Sequence, residues 1–392
     1  MKVLKIALGE WKNESRDKRE LSVCRELGLQ PLVMAKGEPK DKYRKDCVDG
    51  FDVVRFSTRP LGTQIPNGIN RAVALFTWAH YARKLKPDII SGHDLTALLI
   101  GWMSNTFRSR KATLIYDSHE FEIGRNAKRS KLQLWWVTHL ERFLIKRCAF
   151  SIMVNDAIAD EVQRIHKLKQ RPIVVRSTPN YWEIDVSKCR EKRSELLKSF
   201  DDKVEYLLIR HGNVGNGSGI ESILQILTLN PKYGLLLLGQ QNMEEYSERL
   251  KENISKYQLN HRVIFHPAVP IEELWQYVGA ADVEMILTEP IVRSHYFVLP
   301  NKFFESIQSQ TPIIASDMPE MKKLIDKYQI GLTCNPTDID AINTCVERMR
   351  TDKAFYAQCK ENLKIAKRDL CWEKEKEVLK EAYQKVINKQ RF

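Results

Sequence analysis

Residues 299–321 read LPNKFFESIQSQTPIIASDMPEM. Phe303, Phe304 and Ile307 fall on one face at helical spacing, and the run breaks at Gln310-Thr311-Pro312. Ile313-Ile314-Ala315 follow at once as an uninterrupted apolar strand, and Ser316-Asp317-Met318-Pro319-Glu320 as a polar turn. A helix, a strand apolar on both faces and a polar loop at its carboxyl end form the unit of a doubly wound parallel α/β sheet. In such sheets ligands collect beyond the carboxyl ends of the strands. The helix also carries chemistry. Glu305 lies one turn after Pro300-Asn301-Lys302; a carboxylate there can take both hydroxyls of a ribose, while a helix start takes phosphate.

The same rhythm extends in both directions. Short apolar runs at 3–8, 30–34, 53–56, 88–91, 113–116, 151–154 and 173–175 predict strands, with helices over 15–27, 69–84, 96–108, 131–148 and 158–165. A charged stretch, 181–204, reads as a connection between two domains, 1–180 and 205–371. Beyond it the alternation restarts, with strands at 206–209, 235–238, 263–265, 283–286, 313–315 and 331–334, and a charged amphipathic helix from Trp372 ends the chain. At 392 residues there is length for two such domains, each with its own core.

Composition narrows the class. Hydrophobic residues make up 43% and charged residues 29%, a globular balance, and no apolar run reaches the ~18–20 residues a membrane span needs. The start, MKVLKIALGEW, is too short for a signal-peptide core and reads as a first strand. Eight cysteines without a C-x-x-C pair read as free thiols of a reducing, cytoplasmic compartment. The net charge of +13 favours anionic partners. With no aromatic-interleaved RNA motif and no zinc-finger spacing, it does not select nucleic acid.

Several segments carry candidate function. In Ile209-Arg210-His211-Gly212-Asn213-Val214-Gly215-Asn216-Gly217-Ser218-Gly219-Ile220, glycines between a strand and a helix let backbone amides approach a diphosphate. Two histidine turns, Ser91-Gly92-His93-Asp94 and Tyr116-Asp117-Ser118-His119-Glu120, end predicted strands, where α/β sites lie. Asn13-Glu14-Ser15-Arg16 opens a helix, and Arg16 or Arg19 reads either as a phosphate contact or as part of a charged helix start. Residues 125–147 combine cations with an apolar stripe, Leu132, Trp136, Leu140, Phe143 and Leu144. That pattern suits either an anionic membrane surface or a core helix with a basic outer side. Asp338 and Asp340 open a helix and read as capping.

The motif LPNKFFES…TPIIASDMPE resembles the donor-nucleotide signature of the retaining GT-B glycosyltransferases of family 4, the group 1 enzymes. The resemblance implies a GT-B fold, two Rossmann-like doubly wound domains facing across a cleft, with the last helix, 372–392, packed back on the first. It implies transfer of a sugar, with retention, from a nucleoside-diphosphate sugar to an acceptor hydroxyl, without metal or other cofactor. Gly212, Asn213, Gly215, Ser218, Gly219, Ser294, Pro300, Asn301, Lys302 and Glu305 would bind the donor. His119 would serve catalysis, and Arg16, His93 and Asp94 would contact phosphate or acceptor. The partners implied are a glycan or lipid-linked acceptor and an anionic membrane at its cytoplasmic face, in cell-surface polysaccharide or glycolipid assembly. The sequence departs from the family pattern at Phe297, where a first glutamate is usual, and at Asn213 and Ser218, where cations are usual, unless Lys302, Arg210 or Arg293 substitutes. Two alternatives follow from these departures and from the fold: a non-catalytic nucleotide-sugar-binding paralogue or partner subunit, and a nucleotide-sugar epimerase.

Overall fold

A computed structural model describes residues 1–11, 15–38, 41, 43–62, 64–106, 108–125, 129–239 and 244–390. Asn13 and Glu14, and residues 126–128 of the basic stretch, lie outside the described residues. The chain divides into two compact units, Met1–Arg176 with Glu375–Phe392, and Ser177–Lys374.

The first unit is built on an eight-stranded sheet. In chain order its elements are β1 (Lys2–Ile6), α1 (Ser15–Glu26), β2 (Gln30–Lys36), β3 (Arg44–Val48), β4 (Phe51–Phe56), α2 (Asn67–Lys84) and β5 (Ile89–His93). They continue with α3 (Asp94–Asn105), β6 (Thr113–Asp117), α4 (Lys131–Ile145), β7 (Phe150–Met153), α5 (Asp156–His166) and β8 (Ile173–Val174). The strand order is β3-β4-β2-β1-β5-β6-β7-β8, parallel except for β3, which runs antiparallel to β4. Sequence patterning does not anticipate β3. Its RKDCV is polar and mostly exposed because it is an edge strand with little to bury.

The second unit begins with α6 (Val186–Leu197), inside the stretch read as a connection. That stretch belongs to the unit's core: Leu196, Phe200 and Val204 pack with Leu207 and Val278. There follow β9 (Tyr206–His211), α7 (Ile220–Leu229), β10 (Tyr233–Leu238), α8 (Glu244–Lys256), β11 (Val263–His266), α9 (Ile271–Ala280) and β12 (Val283–Ile286). Next come α10 (Arg293–Tyr296), α11 (Asn301–Gln308), β13 (Ile313–Ser316), α12 (Pro319–Tyr328), β14 (Gly331–Cys334), α13 (Ile339–Thr351) and α14 (Lys353–Asp369); α15 (Trp372–Gln390) ends the fold. Asp338 caps α13 by accepting the Ala341 N–H at 3.0 Å, as its position in the sequence suggested.

All six strands of the second sheet are parallel, in the order β11-β10-β9-β12-β13-β14. The order reverses between β9 and β12, the kind of switch point beyond whose carboxyl ends doubly wound sheets bind ligands. Burial explains why these strands read as continuous apolar runs: successive residues feed different cores. Leu208 and Ile314 join Ile223 and Leu235 on one face, whereas Ile313 and Ala315 join Phe303 and Phe304 on the other. Phe303, Phe304 and Ile307 are wholly buried, each contributing about 1.5–3 kcal/mol of burial free energy. α11 then stops before the proline. Gln310 takes a left-handed φ of 56°, its N–H bonds to the Ile307 carbonyl, and the Thr311 N–H reaches back to the Ser306 carbonyl.

Candidate functional site

In the second unit, the end of β9, the glycine loop and the first turns of α11 build one group. Gly212 has φ +90°, and a side chain there would meet the Lys302 ammonium at 3.3 Å, so the absence of a Cβ lets that cation lie over the loop backbone. Gly219 caps α7 at φ +69°, pressed so tightly on the Leu287 carbonyl that no side chain fits. The loop is pinned by Gly212 N–H to Leu238 O at 2.8 Å and by Glu289 N–H to Gly217 O at 2.9 Å. Lys302 has no ion-pair partner among the described residues. Its ammonium lies against the glycine loop that carries Asn213 and Ser218.

Arg210 is buried, its guanidinium turned back onto the carbonyls of His211 and Ser218, and burial lowers its pKa. Ser218 also faces inward, with its hydroxyl 3.4 Å from that of Tyr246. Asn213 and Asn301 are exposed, and Gly215 and Pro300 half-buried, on the loop and at the start of α11. Ser294 is half-buried on the short α10, its carbonyl accepting the Phe297 N–H at 3.2 Å.

Glu305 has a partner that sequence patterning does not reveal. Its Oε2 lies 2.9 Å from Nε2 of His211, whose Nδ1 lies 2.8 Å from Oε2 of Glu284. Glu284 is fully buried and its other oxygen accepts the His211 main-chain N–H at 3.2 Å. Burial opposes charge on His211, but Glu284 and then Glu305 outweigh it and raise the imidazole pKa to about 10. The ring is therefore a cation donating from both nitrogens. Glu305 remains partly exposed, and its Oε1 has no partner among the described residues. Charged residues inside otherwise apolar strands, LLIRH and VEMI, were the signal that could have found this pair.

In the first unit a buried charge cluster sits beneath the two histidine turns. The Lys5 ammonium on β1 lies 2.9 Å from Asp17, 2.5 Å from Glu20 and 2.9 Å from Asp117. His119 places Nε2 at 3.1 Å from Asp117 and 3.4 Å from Asp17, while His93 Nδ1 is 2.6 Å from Asp17. Asp94, with φ +66°, accepts the His119 main-chain N–H at 3.2 Å and pairs with Arg125 at 3.0 Å. Arg16 is drawn into the same cluster, donating to Asp117 at 3.1 Å and to the Val175 carbonyl at 2.7 Å.

Burial disfavours the charges of Lys5, Asp17, Asp117 and His119, but mutual attraction wins. Asp17 and Asp117 are held well below the usual carboxylate range, the first by Lys5 and the histidines, the second by Arg16 and Lys5. His119 is raised to about 9, chiefly by Asp117. Three carboxylates, Asp17, Glu20 and Asp117, thus face three cations, Lys5, Arg16 and His119. Asp17 with His93 and His119, and Asp17 with Glu20 and Asp117, are also sets whose atoms converge within 4.8 Å, close enough to ligate a metal. In the second set the Lys5 ammonium already takes a cation's place.

The basic, aromatic stretch forms α4, capped by Ser130 and Gln133. Its inner side is anchored by Leu144 and by Glu141, which accepts from Tyr116 at 2.9 Å and lies 3.0 Å from His166. Leu132, Trp135 and Trp136 are exposed at 66%, 49% and 62%. No described helix is long and apolar enough to cross a membrane.

Comparison with known proteins follows this geometry. The profile described as glycosyl transferases group 1 matches residues 198–365, and that described as glycosyltransferase family 4 matches residues 22–179. An uncharacterized glycosyltransferase of Methanocaldococcus jannaschii is 23% identical over 389 residues, 92% of this chain and 93% of the relative. Sucrose-phosphate synthase from Thermosynechococcus elongatus has the same fold, with a TM-score of 0.77 over 99% of both chains at 17% identity. HepE of Anabaena, solved in complex with UDP-glucose, gives a TM-score of 0.74 over 99% of this chain and 100% of that one at 14% identity.

Proposed function

Given that the chain is a GT-B glycosyltransferase of the family 4 kind, we propose that its second unit holds a nucleoside-diphosphate sugar. Glu305 takes the ribose hydroxyls through its open Oε1, and the Lys302 ammonium with the Gly212–Gly219 amides takes the diphosphate. The observation that carries this reading is the unpaired Lys302 over Gly212, at the point where the strand order reverses. The complexes of HepE with UDP and with UDP-glucose support a nucleotide-sugar donor.

In the reaction, the bond from the anomeric carbon to the diphosphate breaks and one to an acceptor hydroxyl forms, with retention. The hydroxyl proton passes to the departing diphosphate. Charge on that leaving group is met by Lys302 and the loop amides, without a metal. His119, protonated near neutral pH, is the residue of the first unit that we assign to the transferred sugar and acceptor. The acceptor is a glycan or lipid-linked saccharide in cell-surface polysaccharide or glycolipid assembly. The exposed tryptophans of α4 rest on an anionic membrane at its cytoplasmic face.

The test is a thermal-shift and turnover screen against UDP-, GDP- and ADP-sugars in the presence of EDTA, with Glu305→Ala alongside. Stabilisation by one nucleotide, absent in the variant and accompanied by metal-free transfer, is the expected result. No stabilisation by any nucleotide, or turnover only with added metal, would overturn the corresponding part of the reading.

A further inference from the structure

Glu284 lends its charge to the buried guanidinium of Arg210, yet both of its hydrogen bonds go elsewhere. It stands on a central strand, wholly buried, in a position where an apolar side chain would pack without desolvation cost. Both of its oxygens are committed to one residue, His211, through the main-chain N–H at 3.2 Å and Nδ1 at 2.8 Å. That double hold fixes the imidazole plane and leaves one direction for its remaining N–H, toward Oε2 of Glu305 at 2.9 Å. Glu305 is thereby held by one oxygen and presents the other.

We propose that Glu284 and His211 are positioning residues for donor recognition: together they hold the Glu305 carboxylate so that Oε1 meets the ribose hydroxyls. This rests on the assignment of Glu305 to the ribose. The relay has the logic of a buried carboxylate orienting a histidine that orients a third group, with no proton transferred in the step. The cation on His211 serves a second end. It gives the Glu305 carboxylate, at the edge of the apolar face of α11, a charged hydrogen-bond donor on one oxygen. Arg210 and Lys302 also carry charge near the end of β9. Arg210 is bonded to the His211 carbonyl, and Lys302 lies over Gly212, so neither competes for Glu305.

Binding of UDP, GDP and ADP, each compared with its 2′,3′-dideoxy form, tests this by calorimetry on wild type, Glu305→Gln, His211→Ala, His211→Gln and Glu284→Gln. The expected result is at least about a tenfold rise in Kd for the ribonucleotide in His211→Ala and Glu284→Gln, with partial recovery in His211→Gln. The dideoxy form should bind all variants about as weakly as it binds wild type, because the lost contact is the one it lacks. A general packing defect would weaken both forms alike, and that outcome overturns the proposal. So does full ribonucleotide affinity in both His211→Ala and Glu284→Gln while Glu305→Gln still costs binding. If wild type fails to distinguish ribo from dideoxy forms, or binds none of the three nucleotides, the assignment of Glu305 itself fails, and this inference falls with it. Should His211→Ala not fold, Glu284→Gln, which keeps volume and shape, carries the same comparison.

Discussion

The imidazole of His93 lies on that of His119, ring centroids 3.7 Å apart and 29° between planes, and both rings reach the carboxylate of Asp17. Two histidines share one buried anion, and that anion is itself neutralised from below by Lys5. Charge in this part of the molecule is therefore set collectively.

The first expected outcome concerns pH. The folded-state pKa of His119, about 9, lies above the ordinary histidine value of ~6.5. The stabilisation it brings is complete below about pH 6.5 and disappears as pH rises through about 9. Asp17 and Asp117 are shifted the other way, so their contribution is present above the ordinary carboxylate value of ~4 and is lost as pH falls below it. Melting temperature against pH should fall on both sides of this window. In His119→Gln the alkaline fall should be shallower than in wild type; an unchanged alkaline limb refutes the assignment.

Removing the central cation should cost more than removing any one anion. Lys5→Met leaves Asp17, Glu20 and Asp117 buried around an apolar side chain, and a broken buried pair costs about 3–5 kcal/mol. Chemical denaturation followed by tryptophan fluorescence should show that loss. A variant within about 0.5 kcal/mol of wild type would mean that the cluster protonates at little cost.

His119→Ala should lower kcat by about 10²-fold while leaving the Kd for nucleoside diphosphate within a factor of about two. His119 belongs to the first unit, whereas Glu305, Lys302 and the Gly212–Gly219 loop belong to the second. A large rise in Kd with kcat preserved would move His119 out of the chemical step.

For Lys302→Ala, the loss should depend on phosphate. Affinity for nucleoside diphosphates should drop by about tenfold or more, with affinity for the bare nucleoside almost unchanged. Equal loss for both would show that Lys302 supports the helix and not the diphosphate.

Trp135→Ala with Trp136→Ala should leave the melting temperature near wild type, because the two rings are exposed at 49% and 62%. Sedimentation with vesicles containing anionic lipid should fall severalfold relative to wild type and be weak with zwitterionic vesicles for both. Equal sedimentation of variant and wild type would remove α4 from any membrane contact.

Much of this was legible from the chain. Strands buried on both faces have to be apolar along their whole length, so β9, β10, β12 and β13 stand out, and the breaks between them are marked by glycine and proline. Glu305 and Lys302 were legible through their places on α11. Lys5 was not, because in KVLKI it reads as an outward polar residue of a strand, and its partners lie 12, 15 and 112 positions away. His211 was hidden for the same reason: its meaning depends on Glu284 and Glu305, 73 and 94 positions on. Periodicity reports which face a residue takes, and a pairing across the sheet leaves no periodic trace. Arg16 was read either as a phosphate contact or as part of a charged helix start, and Ser218 as a donor contact; the Arg16 guanidinium donates to Asp117 and the Ser218 hydroxyl lies near that of Tyr246.

The hydroxyl of Tyr383 donates to Glu20 at 2.5 Å across 363 positions of chain, and residues from Glu375 onward belong to the first unit. During synthesis the amino-terminal unit therefore emerges early but lacks one of its own helices until α15 has followed the second unit. The second unit, continuous from Ser177 to Lys374, has no such debt and can complete itself first. A chain stalled before Glu375 would then carry a finished second unit and an unfinished first, with Glu20 of the Lys5 cluster missing its Tyr383 partner. Loss of the residues from Glu375 onward is thus a lesion of the first unit, although they are written after the second.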